Sequence, residues 1–317
     1  MNVKKLVNEI ILVSYTLFKI MIPTLIIVKI LEEFGFILFL DKIFSPFMHL
    51  IGLPSNVAIV LITSVLTNPY AGVIVFSGIN FEQQLTIAQT SIISLFILFA
   101  HSLPLEALIT KKAGVRIRVT VFLRLGGGII FCMILHKIFE FTGILSGTAN
   151  INLPNLSSNV NLIDWIIGQI KGLIFVQVII IVLMVFLEFL KVIGIEKLIH
   201  FLLSPFLKII GIGKDATTIG VIGVTLGLGF GGGIIINEIK SGKIPTKDIF
   251  GILIFINLLH SVFEDTGVVL LLGPSLFVVL IMRIVFTIIT VYFCMKLFNK
   301  LSKESQMKFL LNKDIVK

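Results

Sequence analysis

His260-Ser261-Val262-Phe263-Glu264-Asp265 lies inside an otherwise apolar run from Ile249 to Leu272. A charged group at the centre of a membrane helix costs about 2.5–3.5 kcal/mol on insertion scales, so polar groups found there usually face a cavity, a substrate or each other. The chain carries a similar motif 159 residues earlier, His101-Ser102-Leu103-Pro104-Leu105-Glu106, again within an apolar run. The motif therefore marks a repeated unit with polar chemistry at its centre.

The same offset aligns further residues without a gap. Ser45-Pro46-Phe47 matches Ser204-Pro205-Phe206, and Arg124 matches Arg283. Apolar matches would carry little weight in so hydrophobic a chain, but His, Pro and Arg are scarce in it. We predict a gene duplication that spans about Leu31–Leu125 and Leu190–Ile284. Further matched pairs are Ile51-Gly52 with Ile210-Gly211, Gly72 with Gly231, and Gly114 with Gly273.

The composition is typical of a polytopic helical membrane protein, with 57% hydrophobic and 14% charged residues and a mean hydropathy of +1.11. The net charge of +9 comes largely from lysines in short loops and the C-terminal tail. Positive residues on the cytoplasmic side explain this charge, so it does not indicate nucleic-acid binding. Cys132 and Cys294 stand singly in apolar segments and are interpreted as small buried hydrophobes. No cofactor is expected, and no metal is assigned.

Each copy is predicted to hold three spanning helices, one interfacial helix and one re-entrant hairpin. The hairpins are Asn56–Ile79 and Asp215–Ile239, because turn residues occur in their middle at Thr67–Gly72 and Gly227–Gly233. Backbone broken at membrane depth persists only where it is buried in protein or lines a cavity. A kinked full span is the alternative. The predicted spans are Val7–Leu31, Leu85–Thr110, Val119–Phe139, Trp165–Leu190, Ile249–Leu272 and Leu276–Leu297.

Charge asymmetry predicts the topology. With the N-terminus inside, the basic loop Lys111–Arg118 and the basic C-terminal tail also lie inside, while the Asn/Ser-rich linker Glu140–Asp164 lies outside. Three spans per copy then make the copies inverted relative to each other, as in alternating-access carriers. Both termini are expected in the cytoplasm of a multi-pass protein of the cell (plasma) membrane. The linker also holds the weak glycosylation pattern Asn155-Leu156-Ser157. The predicted divisions are 1–140 (first inverted repeat), 141–163 (extracytoplasmic linker), 164–298 (second inverted repeat) and 299–317 (basic tail).

The candidate site combines the two His-Ser motifs with the hairpin tips. On a continuous helix, His260 and Glu264 would share a face, and Glu264 would accept a hydrogen bond from the imidazole. Arg124 and Arg283 either extend to the lipid headgroups or pair with the acids of their own copy, Arg283 with Asp265 or Glu264. A histidine satisfied by ordinary hydrogen bonds, and a merely polar hairpin end at Asn237-Glu238, are the alternatives. The predicted substrate- or ion-binding residues are Asn68, His101, Ser102, Glu106, Arg124, Gly229, Gly231, Asn237, Glu238, His260, Ser261, Glu264, Asp265 and Arg283.

A duplicated unit with a hairpin, a glycine-rich tip and a following His-Ser helix resembles the Gate, or nucleoside-recognition, superfamily of membrane proteins. Among its members, the chain is most similar to the short spore-maturation and uncharacterised proteins with two Gate units. The resemblance implies an inverted-repeat, transporter-like fold with substrate at the hairpin tips near the midplane of the membrane.

Three functions follow as hypotheses. The first is a secondary carrier of a small polar solute, nucleoside-like or a cation, in which the His–acid groups take coupling protons or cations. The second is a non-transporting accessory protein of spore or envelope maturation. An intramembrane enzyme is the least favoured, and the chain is not expected to be an enzyme. Expected partners are the lipid bilayer, a small-molecule or ion substrate, and a second copy or a paralogous Gate protein.

Overall fold

The computed structural model describes residues 3–154, 156 and 161–312, and these residues are almost entirely helical. The first copy contributes α1 (Val3–Glu33), α2 (Phe36–Leu50), α3 (Ala58–Leu66), α4 (Pro69–Ser77), α5 (Ile87–Ala100), α6 (Leu103–Ala113), α7 (Ile117–Val121) and α8 (Gly128–Thr142). The second contributes α9 (Leu162–Val192), α10 (Ile195–Ile209), α11 (Thr217–Lys240), α12 (Thr246–Leu258), α13 (Glu264–Val269), α14 (Arg283–Lys300) and α15 (Lys303–Phe309). The predicted sequon at Asn155 and Ser157 lies outside the described residues.

The apolar helices confirm an all-α polytopic membrane protein. Among the described residues, four helical stretches are long and apolar enough to cross a membrane, and two bent pairs bring the total to six. One bent pair joins α5 to α6, where a single span was predicted. The other turns by 102° between the end of α2 and the arm Ser55–Leu66, so the predicted interfacial helix is set at a steep angle to the hairpin. The four single stretches are Val3–Glu33, Ile117–Thr142, Leu162–Val192 and Phe277–Lys300.

The repeat extends to the backbone conformation. The bounds of α1 and α9 differ by the same 159 residues at both ends, and so do those of α2 and α10. Positive φ angles recur at matched positions as well, including 51° at Ser102 and 46° at Ser261. A backbone conformation that L-residues rarely adopt would not recur by chance at one offset. The duplication therefore preserved the breaks in the helices as well as the helices. The inverted orientation of the copies stays a prediction.

Both predicted hairpins are present as reversals of the chain. Asn68 lies between α3 and α4, and a Cβ added at Gly72 would lie 3.3 Å from the carbonyl oxygen of Val60. Twelve residues of straight helix would separate these positions by about 18 Å, so α4 returns alongside α3. In α11 the reversal occurs at Gly227, with φ 72° and ψ −177°, and Gly231 approaches Ile222 in the same way. The kinked full span is therefore wrong.

The helices group into two compact units that cut across the copies. The described parts of Met1–Ser102, Ile129–Phe189 and Glu264–Val279 form the first unit. Those of Leu103–Gly128, Leu190–Phe263 and Leu280–Lys317 form the second. Each unit therefore contains the helix that follows the His-Ser motif of the other copy: α13 belongs to the first unit and α6 to the second.

One helix of each unit is buried along its length. In the first unit every residue of α5 from Thr90 to Ala100 is buried, and in the second every residue of α12 from Asp248 to Leu258 is buried. Small hydroxyl residues on α5 make hydrogen bonds to the second-copy segment in the same unit: Thr90 donates to the Gly273 carbonyl at 3.2 Å. Side-chain hydrogen bonds of this kind tie helices together where no water is available. Both buried helices end at a His-Ser motif.

Candidate functional site

The His-Ser motifs are breaks in the helical backbone. α5 ends at Ala100 and α6 begins at Leu103, and Ser102 between them has a φ of 51°. A non-glycine residue in this region costs about 1–3 kcal/mol, so neighbouring contacts must hold it. Here the Ser102 N–H donates to the Ser64 carbonyl at 3.0 Å, and its hydroxyl donates to the Thr67 carbonyl at 2.7 Å. The break therefore supplies donors to the carbonyls left free where α3 ends.

The second unit repeats this arrangement. The Ser261 N–H donates to the Gly223 carbonyl at 3.0 Å, and Gly223 is the repeat partner of Ser64. The Val262 N–H donates to Val224 at 2.9 Å. At the tip of this hairpin, a Cβ on Gly227 would lie 3.0 Å from the Cβ of Ser261. Each unit thus joins a hairpin tip to a helix break, and we call this arrangement the tip–break module (residues 64–72 with 101–102, and 223–231 with 260–262).

Each histidine is held in one orientation by its own helix. The Nδ1 atom of His101 lies 2.8 Å from the Ile97 carbonyl, and that of His260 lies 2.8 Å from the Ile256 carbonyl. A carbonyl can only accept, so Nδ1 carries the proton in both rings. The Nε2 atom then faces the opposite direction, where the other copy supplies a carboxylate.

The two His–acid pairs link the copies reciprocally. Within the first unit, His101 Nε2 lies 3.2 Å from Asp265 Oδ2. Within the second unit, His260 Nε2 lies 3.2 Å from Glu106 Oε2. All four side chains are buried. Because Nδ1 already holds a proton, Nε2 can donate to the carboxylate only when the ring carries a second proton. Each pair is therefore a place where one positive charge can be held.

The predicted hydrogen bond between His260 and Glu264 is wrong. The break at Ser261 interrupts the helix, so residues four apart across it do not share a face. The same reason removes the predicted shared faces of Ser261 with Asp265 and of Ser102 with Glu106. Glu264 instead accepts a hydrogen bond from the Tyr70 hydroxyl at 2.9 Å within the first unit. Sequence reasoning missed Tyr70; its polar hydroxyl beside the turn residues Asn68 and Pro69 was the available signal.

The two arginines are buried, so neither extends to the lipid headgroups. Arg124 and Arg283 are both 0% exposed. Arg124 lies in a π-helical turn, Phe122–Gly127, and donates to Glu106, the same-copy pairing that was considered. Arg283 donates to the carbonyls of Leu258 at 3.0 Å and His260 at 3.2 Å, which the end of α12 leaves free. The pairing of Arg283 with Asp265 or Glu264 stays a prediction.

Asn68 caps the second arm of the first hairpin. Its Oδ1 accepts from the Ala71 N–H at 2.9 Å, which satisfies one of the free donors at the start of α4. Its Nδ2 is buried and has no hydrogen-bond partner among the described residues. Thr266 Oγ1, in the same unit, is also buried and has no hydrogen-bond partner among the described residues. Buried polar atoms are seldom left in this state, so both groups need a partner that the described residues do not supply.

The remaining predicted residues occupy ordinary positions on α11. A Cβ on Gly231 would lie 2.9 Å from the Ile222 side chain, so Gly231 serves close packing of the hairpin arms, whereas Gly229 has open space around it. Asn237 is exposed and Glu238 is half-buried in the last turns, where their carbonyls accept from the Ser241 N–H. This placement favours the polar-end interpretation of Asn237 and Glu238.

The polar side chains next to the two tip–break modules differ. The first unit brings two adjacent carboxylates, Glu264 and Asp265, together with one imidazole and one phenol. In the second unit the single carboxylate Glu106 lies between Arg124 and His260. A cation or a proton-donating solute is accommodated more readily by the first arrangement, because the carboxylate of the second already contacts a permanent cation.

Residues 14–115 match the family model described as Gate, nucleoside recognition, which covers the first copy through α6. The chain is also 26% identical over 279 residues to the uncharacterized membrane protein YvoD of Bacillus subtilis (strain 168), a match that covers 86% of each protein. No solved structure matches the chain. These likenesses agree with the resemblance drawn from the duplicated hairpin and the His-Ser motif. The chain is therefore a membrane protein whose first copy is similar to the Gate domain.

Proposed function

We propose that this protein is a secondary carrier that binds a small polar solute, nucleoside-like or a cation, and couples its movement to a proton or cation. The observation that carries the proposal is the pair of buried His–carboxylate contacts, one in each unit and each formed between residues of different copies. A charge held at such a pair is costly in a membrane. Ionisable groups that persist there usually mark ion pathways or proton relays.

The first unit is the proposed coupling site. His101 and Asp265 hold one exchangeable positive charge between them, and Tyr70 fixes the neighbouring Glu264 by donating to it. When a cation or proton leaves this pair, two adjacent carboxylates remain in a dry environment, which is unfavourable. A solute that brings a hydrogen-bond donor or a cation to the tip–break module stabilises these two carboxylates again. Binding of solute and of the coupling ion are linked in this way.

The tip supplies the solute contacts in this scheme. Asn68 Nδ2 can donate to a solute oxygen, and Thr266 Oγ1 can donate or accept. Broken helices in carriers use free backbone groups and helix ends for the same purpose. The solute is therefore expected to carry both donors and acceptors, as nucleosides do, unless the substrate is the cation itself.

The test is uptake into proteoliposomes that contain the full chain. Candidate solutes are first chosen by thermal stabilisation in detergent with nucleosides and divalent cations, and uptake is then measured with and without a pH gradient. Asp265→Asn should abolish coupled uptake while the protein still inserts and purifies as a single species. The exposed Asp164→Asn is the matched control and should behave as the unmodified chain. The proposal fails if no probe is taken up, which favours the accessory role, or if Asp265→Asn transports normally.

A further inference from the structure

The first unit contains a cavity that lies apart from its tip–break module. It has a volume of about 300 Å³, which lies at the lower limit for small-molecule sites. Its walls come from the end of α1, the two ends of the hairpin, the linker and the start of α9. The polar and aromatic residues of the lining are Lys29, Glu32, Asn56, Asn80, Trp165 and Gln169.

Two buried acceptors in this lining are unsatisfied. Asn56 Oδ1 and Gln169 Oε1 have almost no exposed surface and no hydrogen-bond partner among the described residues. They come from different elements, Asn56 from the turn before α3 and Gln169 from α9. An unpaired buried amide oxygen costs about 1–3 kcal/mol. A molecule with at least two hydrogen-bond donors would satisfy both once the two amides rotate toward the cavity that their residues line.

The charged groups of the wall contact each other. Lys29 Nζ lies 3.2 Å from Glu32 Oε2 and 2.7 Å from Glu33 Oε1. The lining itself holds one positive and one negative group, Lys29 and Glu32, and so has no net charge, which favours an uncharged ligand. The ion pair can still accept a hydroxyl proton at its carboxylate and donate one from its ammonium group.

Apolar walls accompany these polar groups. Trp165 lines the cavity together with Leu25 and Ile74. The linker residue Leu156 is buried there, and its N–H donates to the Ser77 carbonyl at 3.0 Å, which holds Leu156 against the hairpin. An aromatic face beside amide and carboxylate side chains suits a molecule with hydroxyl groups on its rim and C–H groups on its faces.

From these features we propose that the cavity binds a neutral sugar or cyclic polyol, either free in solution or as the headgroup of a glycolipid. Hydroxyl groups donate to Asn56 and Gln169, and the apolar face of the ring packs against Trp165. The proposal is independent of solute transport, since none of these residues belongs to the tip–break module.

Trp165 provides the readout, because it is the only tryptophan in the chain. The full chain is purified in a detergent without sugar, such as an amine oxide, and titrated with glucose, galactose and myo-inositol while its emission is recorded. A second arm compares nanodiscs of phosphatidylglycerol with and without monoglucosyl diacylglycerol. A saturable change in the first arm identifies a free sugar or polyol, and a change only in the second identifies a headgroup.

Substitution then ties the response to the cavity. Gln169→Met removes an acceptor and should weaken apparent affinity by about three- to tenfold. Gln169→Glu keeps acceptor oxygens and should retain binding. It also shows whether the protein still folds when this side chain is substituted. Gln83→Met, at an exposed amide outside the cavity, is the matched control and should leave affinity unchanged. The proposal is overturned if no response occurs in either arm, or if Gln169→Met and Gln83→Met bind alike.

Discussion

Glu106→Gln is expected to destabilise the protein more than any other single change in the second unit's polar cluster. The Glu106 carboxylate contacts both Arg124 and His260, and all three side chains are buried. Its removal leaves one permanent cation and one imidazole without that carboxylate. Breaking a buried ion pair from one side costs about 3–5 kcal/mol, so the free energy of unfolding should fall by about that amount.

Arg124→Met should cost less, because Glu106 still contacts His260 after the change. The double variant Glu106→Gln/Arg124→Met should be more stable than Glu106→Gln alone, since replacing both members of a buried pair is often close to neutral. A coupling free energy of about 0.5–3 kcal/mol between the two sites is expected. The pair Lys137–Glu140 is the control: it is exposed, so Glu140→Gln should produce no measurable change.

The assay is unfolding by dodecyl sulfate in mixed micelles, followed by the emission of Trp165, with variants compared at one pH and one lipid content. The reasoning is refuted if Glu106→Gln and Arg124→Met cost the same, or if the double variant is the least stable of the three. Either result would mean that the carboxylate does not hold the two basic side chains together.

Other outcomes follow from the same structure. Gly227→Ala should lower the free energy of unfolding by about 1–2 kcal/mol, because φ there is 72° and a Cβ would be 3.0 Å from the Cβ of Ser261. Gly229→Ala, with open space around the added Cβ, should be neutral or slightly stabilising in the same thermal assay. Arg116→Ala should speed limited proteolysis of the C-terminal segment, because its guanidinium binds two carbonyls of that segment at 2.9 Å. In a background without native cysteines, Asn80→Cys should react with an impermeant thiol reagent from outside the cell, and Gly242→Cys only after permeabilisation. The opposite labelling pattern would overturn the predicted topology.

Helices and breaks were predictable because they depend on local chemistry. Turn residues at Asn68 and Gly227 predicted both hairpins, and the recurrence of His-Ser at one offset located the two breaks. Apolar runs of sufficient length predicted the spanning helices. Each of these signals lies within a few residues of the feature that it predicts, so one sequence was enough.

The partners of the polar residues were not predictable in the same way. The i,i+4 rule assigned Glu264 to His260, but that rule holds only on an unbroken helix, and Ser261 has a φ of 46°. The true partner, Glu106, lies in the other copy. Finding it required knowing that α6 belongs to the second unit, which is a fact of tertiary packing. Arg124 was different: its partner lies in the same copy and in the same unit, so one of the two sequence interpretations was correct.

The departures from the repeat carry information that the matches do not. Tyr70 and Glu264 are bonded in the first unit, and at the 159-residue offset both are lost together: Gly229 replaces the phenol and Leu105 replaces the carboxylate. A buried carboxylate without its donor is costly, so the two positions had to change as a pair. The His–acid contact, in contrast, is present in both units. The shared contact therefore belongs to the common architecture, and the paired departure supports the proposal that the first unit is the coupling site.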